Sequence, residues 1–140
     1  MDIRIAYFAK TRERAFALPF VPAVMCGLSD ESPESLFNKM PDLDGVILSC
    51  ADLQTACVAL DYGKHVLLPP GNFRGEDLYK LASLAVRKEL LLMAYQTNAD
   101  AKLFAERVKE EPSRRASLDS VRAYYAACGF SEKDTPALFI

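Results

Sequence analysis

No glycine stands between Ile3 and Cys26. That gap bears most on function. A Gly-x-Gly-x-x-Gly turn after a first strand lets backbone approach a pyrophosphate and a helix pack closely on the strand. Aligned on Arg4-Ile5-Ala6, its three places fall on Ala9, Thr11 and Arg14, whose side chains occupy the space that a diphosphate needs. Histidine is nearly missing as well: His65 is the single one, and the four cysteines (Cys26, Cys50, Cys57, Cys128) show no Cys-x-x-Cys spacing. This argues against a zinc site and for buried thiols in a reducing cytoplasm. No apolar run approaches the roughly 18 residues of a membrane span. Met1-Asp2 leads directly into a strand-like run, so no signal peptide is expected and the expected location is cytoplasmic. Neither sign of charge dominates: 17 Lys and Arg face 19 Asp and Glu, a net charge of −2. That gives no electrostatic reason to expect nucleic acid or an anionic membrane as partner.

What is present is a core for one domain. The chain has 140 residues, 51% hydrophobic and 26% charged, the balance of an ordinary globular protein. Apolar runs alternate with helix-like segments, the pattern of βαβ units. Strands are expected at Ile3 to Phe8, Ala23 to Leu28, Gly45 to Ser49, His65 to Leu68 and Leu90 to Ala94. Thr11 caps a short helix that Pro19 stops, and Ser32-Pro33 opens one to about Met40. Asp52 caps a helix ending near Tyr62, with Gly63 as its stop. An amphipathic helix runs from Gly75 to about Lys88 with Leu78, Leu81, Leu84 and Ala85 on one face. Further helices run from Asn98 to about Glu110 and from near Ser117 to Cys128, the last with Val121, Tyr124, Tyr125 and Cys128 on one face. Right-handed crossovers then imply an α/β fold: a doubly wound, parallel, five-stranded, Rossmann-like sheet in the order 3-2-1-4-5. Residues 1–112 form that domain, with no second domain expected; residues 113–140 form a C-terminal helix and tail packed on it or extending from it.

Gly63-Lys64-His65-Val66 followed by Leu67-Leu68-Pro69-Pro70 resembles the Gfo/Idh/MocA family of nicotinamide-dependent sugar and cyclitol dehydrogenases. There the run reads Gly-Lys-His-Val, one or two apolar residues, then Glu-Lys-Pro, whose lysine is catalytic. Asp42-Leu43-Asp44-Gly45-Val46-Ile47-Leu48 is similar to the family's Asp-Val-Asp-Ala-Val strand, and Glu76-Asp77-Leu78 to the segment after Glu-Lys-Pro. The resemblance covers roughly Ile3 to Glu110. It implies the Rossmann fold and, by its gaps, a lost activity. Leu68-Pro69-Pro70 stands in place of Glu-Lys-Pro, and proline has no amine to polarise a carbonyl. After the third strand the family's Thr-Pro and helical His are replaced by Ser49-Cys50-Ala51-Asp52-Leu53. After the fifth, Tyr95-Gln96-Thr97-Asn98 carries no Arg-Phe. Asn98 is a candidate cap for the helix that follows.

Some residues remain that hold a ligand in other settings. Lys10, Thr11 and Arg12 sit where a helix N-terminus would attract an anion. The ordinary alternative is a solvated basic turn. Asp30 lies where a ribose-binding acid belongs, three residues before Pro33-Glu34; it equally makes an acidic helix start. His65 reads as a packed, hydrogen-bonded histidine and is at the opposite sheet edge from Cys50, so no Cys-His pair is expected. Phe73 and Arg74, in a stiff Pro-Gly loop, are of a type that anchors interfaces.

The leading expectation is a non-catalytic pseudo-enzyme, accessory or regulatory, that binds a protein partner or forms a homo-oligomer, with no cofactor. Two alternatives stand beside it. One is a nucleotide or small-metabolite binder using Lys10, Thr11, Arg12 and Asp30. The other is an NAD(P)-dependent oxidoreductase completed by a partner subunit.

Overall fold

Apolar strands that carry no polar face must be covered on both sides, and the arrangement follows from that. A computed structural model describes residues 4–8, 23–26, 32–110, 112–131 and 133. Five strands, β1 (Ile5–Phe8), β2 (Ala23–Cys26), β3 (Gly45–Leu48), β4 (His65–Leu68) and β5 (Leu92–Ala94), form one sheet. All four pairings are parallel, with Ile5 beside both Ala23 and Gly45, Gly45 beside His65, and Val66 beside Leu92. The described helices are α1 (Pro33–Lys39), α2 (Leu53–Asp61), α3 (Gly75–Arg87), α4 (Asn98–Lys109) and α5 (Arg114–Ala127).

The strand order is β2-β1-β3-β4-β5, not the expected 3-2-1-4-5. The third strand lies inside the sheet, between β1 and β4, instead of outside β2. Burial gives the reason. All four residues of β3 and all four of β4 are buried, which an outermost strand cannot achieve. This is the flavodoxin-like form of a doubly wound sheet, with its switch point between β1 and β3.

Period-two alternation sorts the strand residues between two cores. Ala6, Val46, Leu48, Val66 and Leu68 meet α1, α2, α3 and α5 through Phe37, Leu60, Leu81 and Tyr124 among others. Ile5, Ile47, Leu67 and Leu91 meet Ala101, Phe104, Ala105 and Val108 of α4. The α3 stripe expected from spacing is in place, with Leu78, Leu81 and Ala85 fully buried. So is the α5 stripe: Val121, Tyr124 and Tyr125 are buried, and Cys128 packs at its end. Helix α5 is therefore part of the same core as the sheet.

The helix ends follow local chemistry. Ser32 Oγ accepts from Ser35 N at 3.2 Å, and Asp52 accepts from Gln54 N at 3.1 Å. Gly63 and Gly129 take φ of 80° and 92° just past α2 and α5, a left-handed geometry natural to glycine. Two boundaries differ from expectation. Thr97, not Asn98, caps α4, and the Asp100 carboxylate accepts its backbone N–H at 2.8 Å. Ser113 caps α5, whose first turn precedes the expected start at Ser117. The expected helix after β1 falls at residues outside those described.

An edge strand leaves unpaired backbone groups. On β5, Leu92 N–H donates to Ser120 Oγ at 3.1 Å, and that hydroxyl donates to Ser117 O at 2.7 Å. The buried Ser117 Oγ itself has no hydrogen-bond partner among the described residues. The two serines should therefore respond oppositely. Ser120→Ala orphans a buried N–H and should cost about 1–3 kcal/mol of unfolding free energy. Ser117→Ala removes an unsatisfied hydroxyl and should be neutral or stabilising. Urea denaturation of the two variants checks the contrast, and equal losses would refute it.

Candidate functional site

In a doubly wound sheet, ligands bind outside the carboxyl ends of the strands, at the switch point. Here that place is the crevice beyond β1 and β3. The residues expected to act there, Lys10, Thr11, Arg12 and Asp30, lie outside the described residues, as do Ala9 and Arg14. The described residues nearest that place follow β3 and β4.

Beyond β3 stand the exposed Ser49 and the half-buried Cys50. Asp52 is the nearest carboxylate beyond them in sequence. It is committed to capping, accepting from Gln54 N and, at 2.9 Å, from Thr55 Oγ1. Its role as a cap agrees with the sequence reading.

Beyond β4 stands Pro69. Its carbonyl accepts the Tyr124 hydroxyl of α5 at 2.8 Å. The Tyr124 ring lies 6.2 Å from that of Phe73, and burial pushes the Tyr124 pKa up strongly. The phenol is thus a neutral donor that pins the loop, not an acid or base near pH 7. At Gly71 an added Cβ would come within 2.6 Å of the Ala51 Cβ and 2.9 Å of the Phe73 ring. The β4–α3 loop therefore sits directly on the β3–α2 loop. Phe73 packs against the core, while the exposed Arg74 pairs with Glu76 at 3.5 Å. Of the two expected interface anchors, the structure leaves only Arg74 outward. At this described part of the edge the two loops are in contact at Gly71 and Ala51.

The Gly-Lys-His-Val motif lies at the other edge. Lys64 Nζ donates to Pro41 O and Leu43 O, both at 2.9 Å, and burial lowers its pKa. His65 Nδ1 accepts from Leu91 N at 3.0 Å, which fixes the proton on Nε2. Arg4 N donates to Asp44 at 2.9 Å, and its guanidinium pairs with Asp42. The motif ties the starts of β1, β4 and β5 to the turn before β3. His65 is level with Gly45, and Cys50 lies five residues further along, about 16 Å at strand rise. The two cannot act as a pair, as the sequence reading anticipated.

Among the described residues no group of three His, Cys, Asp or Glu side chains could hold a metal ion, and no helix is long and apolar enough to cross a membrane. Burial raises the half-buried Cys57 thiol pKa, an inert setting. Sequence reasoning missed the link between Tyr124 and Pro69, 55 residues apart. The apolar stripe of α5 was visible, but nothing local to it indicates which loop its hydroxyl reaches.

No protein-family model, no curated protein and no solved structure matches this chain. The family resemblance therefore rests on the quoted residues alone.

Burial holds the His65 pKa below its ordinary value, with the Asp44 carboxylate partly opposing. The unfolded chain binds a proton near pH 6.5, where the folded chain does not. Stability should then fall as pH drops below about 6.5. His65 is the only histidine, so the effect is assignable. His65→Asn keeps an acceptor near the Nδ1 position and should flatten the Tm profile between pH 7.5 and 5.5. An unchanged slope would exclude His65 as its source.

Proposed function

We propose that this chain is a non-catalytic, Rossmann-like protein that acts through protein–protein association, with itself or with a partner, as an accessory or regulatory pseudo-enzyme. The observation that carries the reading is Pro69. Where the resembled dehydrogenases place a reactive lysine, this chain has a proline whose carbonyl is held by Tyr124. The neighbouring Gly71 is in close contact with Ala51. A packed loop there fits a scaffold better than a hydride-transfer site.

Descent from the N-terminal domain of the Gfo/Idh/MocA enzymes is part of the proposal. Removing the third strand from the Rossmann order 3-2-1-4-5-6 leaves 2-1-4-5-6. Renumbered, that sequence is the order of this sheet. The order is also that of flavodoxin-like folds, so it supports the relationship without deciding it. The second reading, a nucleotide or metabolite binder, is favoured by one feature. The switch point lies next to the segment that carries Lys10, Thr11 and Arg12. An oxidoreductase completed by a partner subunit would still need an amine or equivalent in place of Pro69.

Differential scanning fluorimetry with NAD(H), NADP(H), ATP and AMP at about 1 mM separates these readings. A ligand at tenfold its Kd stabilises by about 1.4 kcal/mol, on the order of 4 °C in Tm for a domain of this size. The expected result is no shift. A shift of several degrees with any nucleotide overturns the non-binding reading in favour of the second. Pro69→Lys should gain no dehydrogenase activity with sugar or cyclitol substrates. Measurable NAD(P)H production by that variant would show that the rest of the site survives.

A further inference from the structure

Two large hydrophobic side chains are exposed among the described residues, Tyr62 and Leu103. Tyr62 lies against Phe37, with ring centroids 5.5 Å apart. Leu103 instead stands at the lip of a groove of about 240 Å³. The groove runs between α4 and α5 with Leu91, Met93 and Ala94 of the β5 segment at its base. Ala116, Ala123 and Ala127 make its α5 wall shallow, and Asp119 and Ser120 of the same helix add polar groups to it. A knob and a hole of matching character thus share one surface, the condition for an isologous twofold contact.

The charges on α4 are arranged for the same symmetry. Asp100 and Arg107 both line the groove. They lie three residues before and four after Leu103, hence on one helical face. Turning a second α4 antiparallel about Leu103 sets Asp100 of each copy opposite Arg107 of the other. Arg107 forms no ion pair among the described residues of its own chain. The bonds that Asp100 accepts from Gln96 N and Thr97 N, both at 2.8 Å, use Oδ2, which leaves Oδ1 for a cation.

Resting on the association reading above, we infer that the groove between α4 and α5 is the dimer face, and that its occupant is α4 of a second copy of this chain. The two Leu103 side chains meet at the dyad, each against the lip of the other copy's groove. Two Asp100–Arg107 pairs flank the dyad and set the antiparallel register. Such rim pairs give orientation more than affinity, while the buried leucine supplies most of the hold.

Sedimentation velocity of the full chain from about 1 to 100 µM tests this. The wild type should run as a dimer. Leu103→Asp should raise its dissociation constant at least about tenfold. Arg107→Glu opposes like charges across the dyad and should also weaken the dimer, with less effect at 0.5 M NaCl than at 0.05 M because salt screens the repulsion. Both positions are exposed, and circular dichroism with thermal melts would verify that the variants fold. In a complementary measurement, Leu103→Cys should form an oxidant-dependent covalent dimer faster than wild type. A dimer that Leu103→Asp and Arg107→Glu leave intact overturns this face while the association reading stands. A strict monomer at 100 µM also overturns it; the association reading then depends on capture of a different protein partner and on the nucleotide melts.

Discussion

Two strands without a polar face dictate most of this molecule. Each of the eight residues of β3 and β4 is buried, so neither strand can stand at an edge and neither face of the sheet can meet water. Helices must cover both sides, and the chain must cross back over β1 after β2. Polar groups are displaced to the strand ends. At the amino edge they become structural ties: the Lys64 ammonium between two carbonyls and the His65 ring beneath Leu91. The cost of burying such groups is offset only when each finds a partner. That requirement gives Lys64 and His65 a structural role. Gly-Lys-His-Val lies far from the carboxyl edge, where ligands bind, and its work is to align strands.

The local features were legible. Alternation, capping serines and aspartates, and the glycines after α2 and α5 placed the five strands and most described helix ends within a residue or two. Each is decided by neighbours in sequence. Strand order is decided by which apolar runs compete for the centre, and the sequence pattern had to be weighed across the sheet to expose that. The burial of all of Gly45 to Leu48 was foreshadowed by its lack of polar alternation. A resemblance to the Rossmann order led instead to a place beyond β2. The difference is resolved if one strand of the longer order is missing, because the remaining strands then keep their neighbours.

The site was less legible, for a physical reason. Carboxyl-edge chemistry arises where separate loops meet, so it depends on contacts at long sequence separation. The sequence could show that Pro69 had no amine. It could not show that Tyr124 would grip the Pro69 carbonyl or that Gly71 would press on Ala51. These contacts alter the meaning of the proline. The loop that carries Pro69 is held by α5 on one side and rests on the β3–α2 loop on the other.

The same reasoning bears on where selection has left an exposed surface. Core positions are held by packing, and the amino edge by buried hydrogen bonds. At the described carboxyl edge the β4–α3 loop rests on the β3–α2 loop. The face between α4 and α5 is different: a large apolar side chain stays in water at the lip of a groove, with Asp100 and Arg107 of α4 on either side of it. Solvent exposure of Leu103 offers the monomer nothing, and a lysine or glutamate there would serve α4 better for solubility. Its presence is intelligible if the exposed state is not the working one. A sheet with helices packed on both faces presents those helices in fixed register. That is the property an association surface needs most, because binding energy is not spent on ordering it.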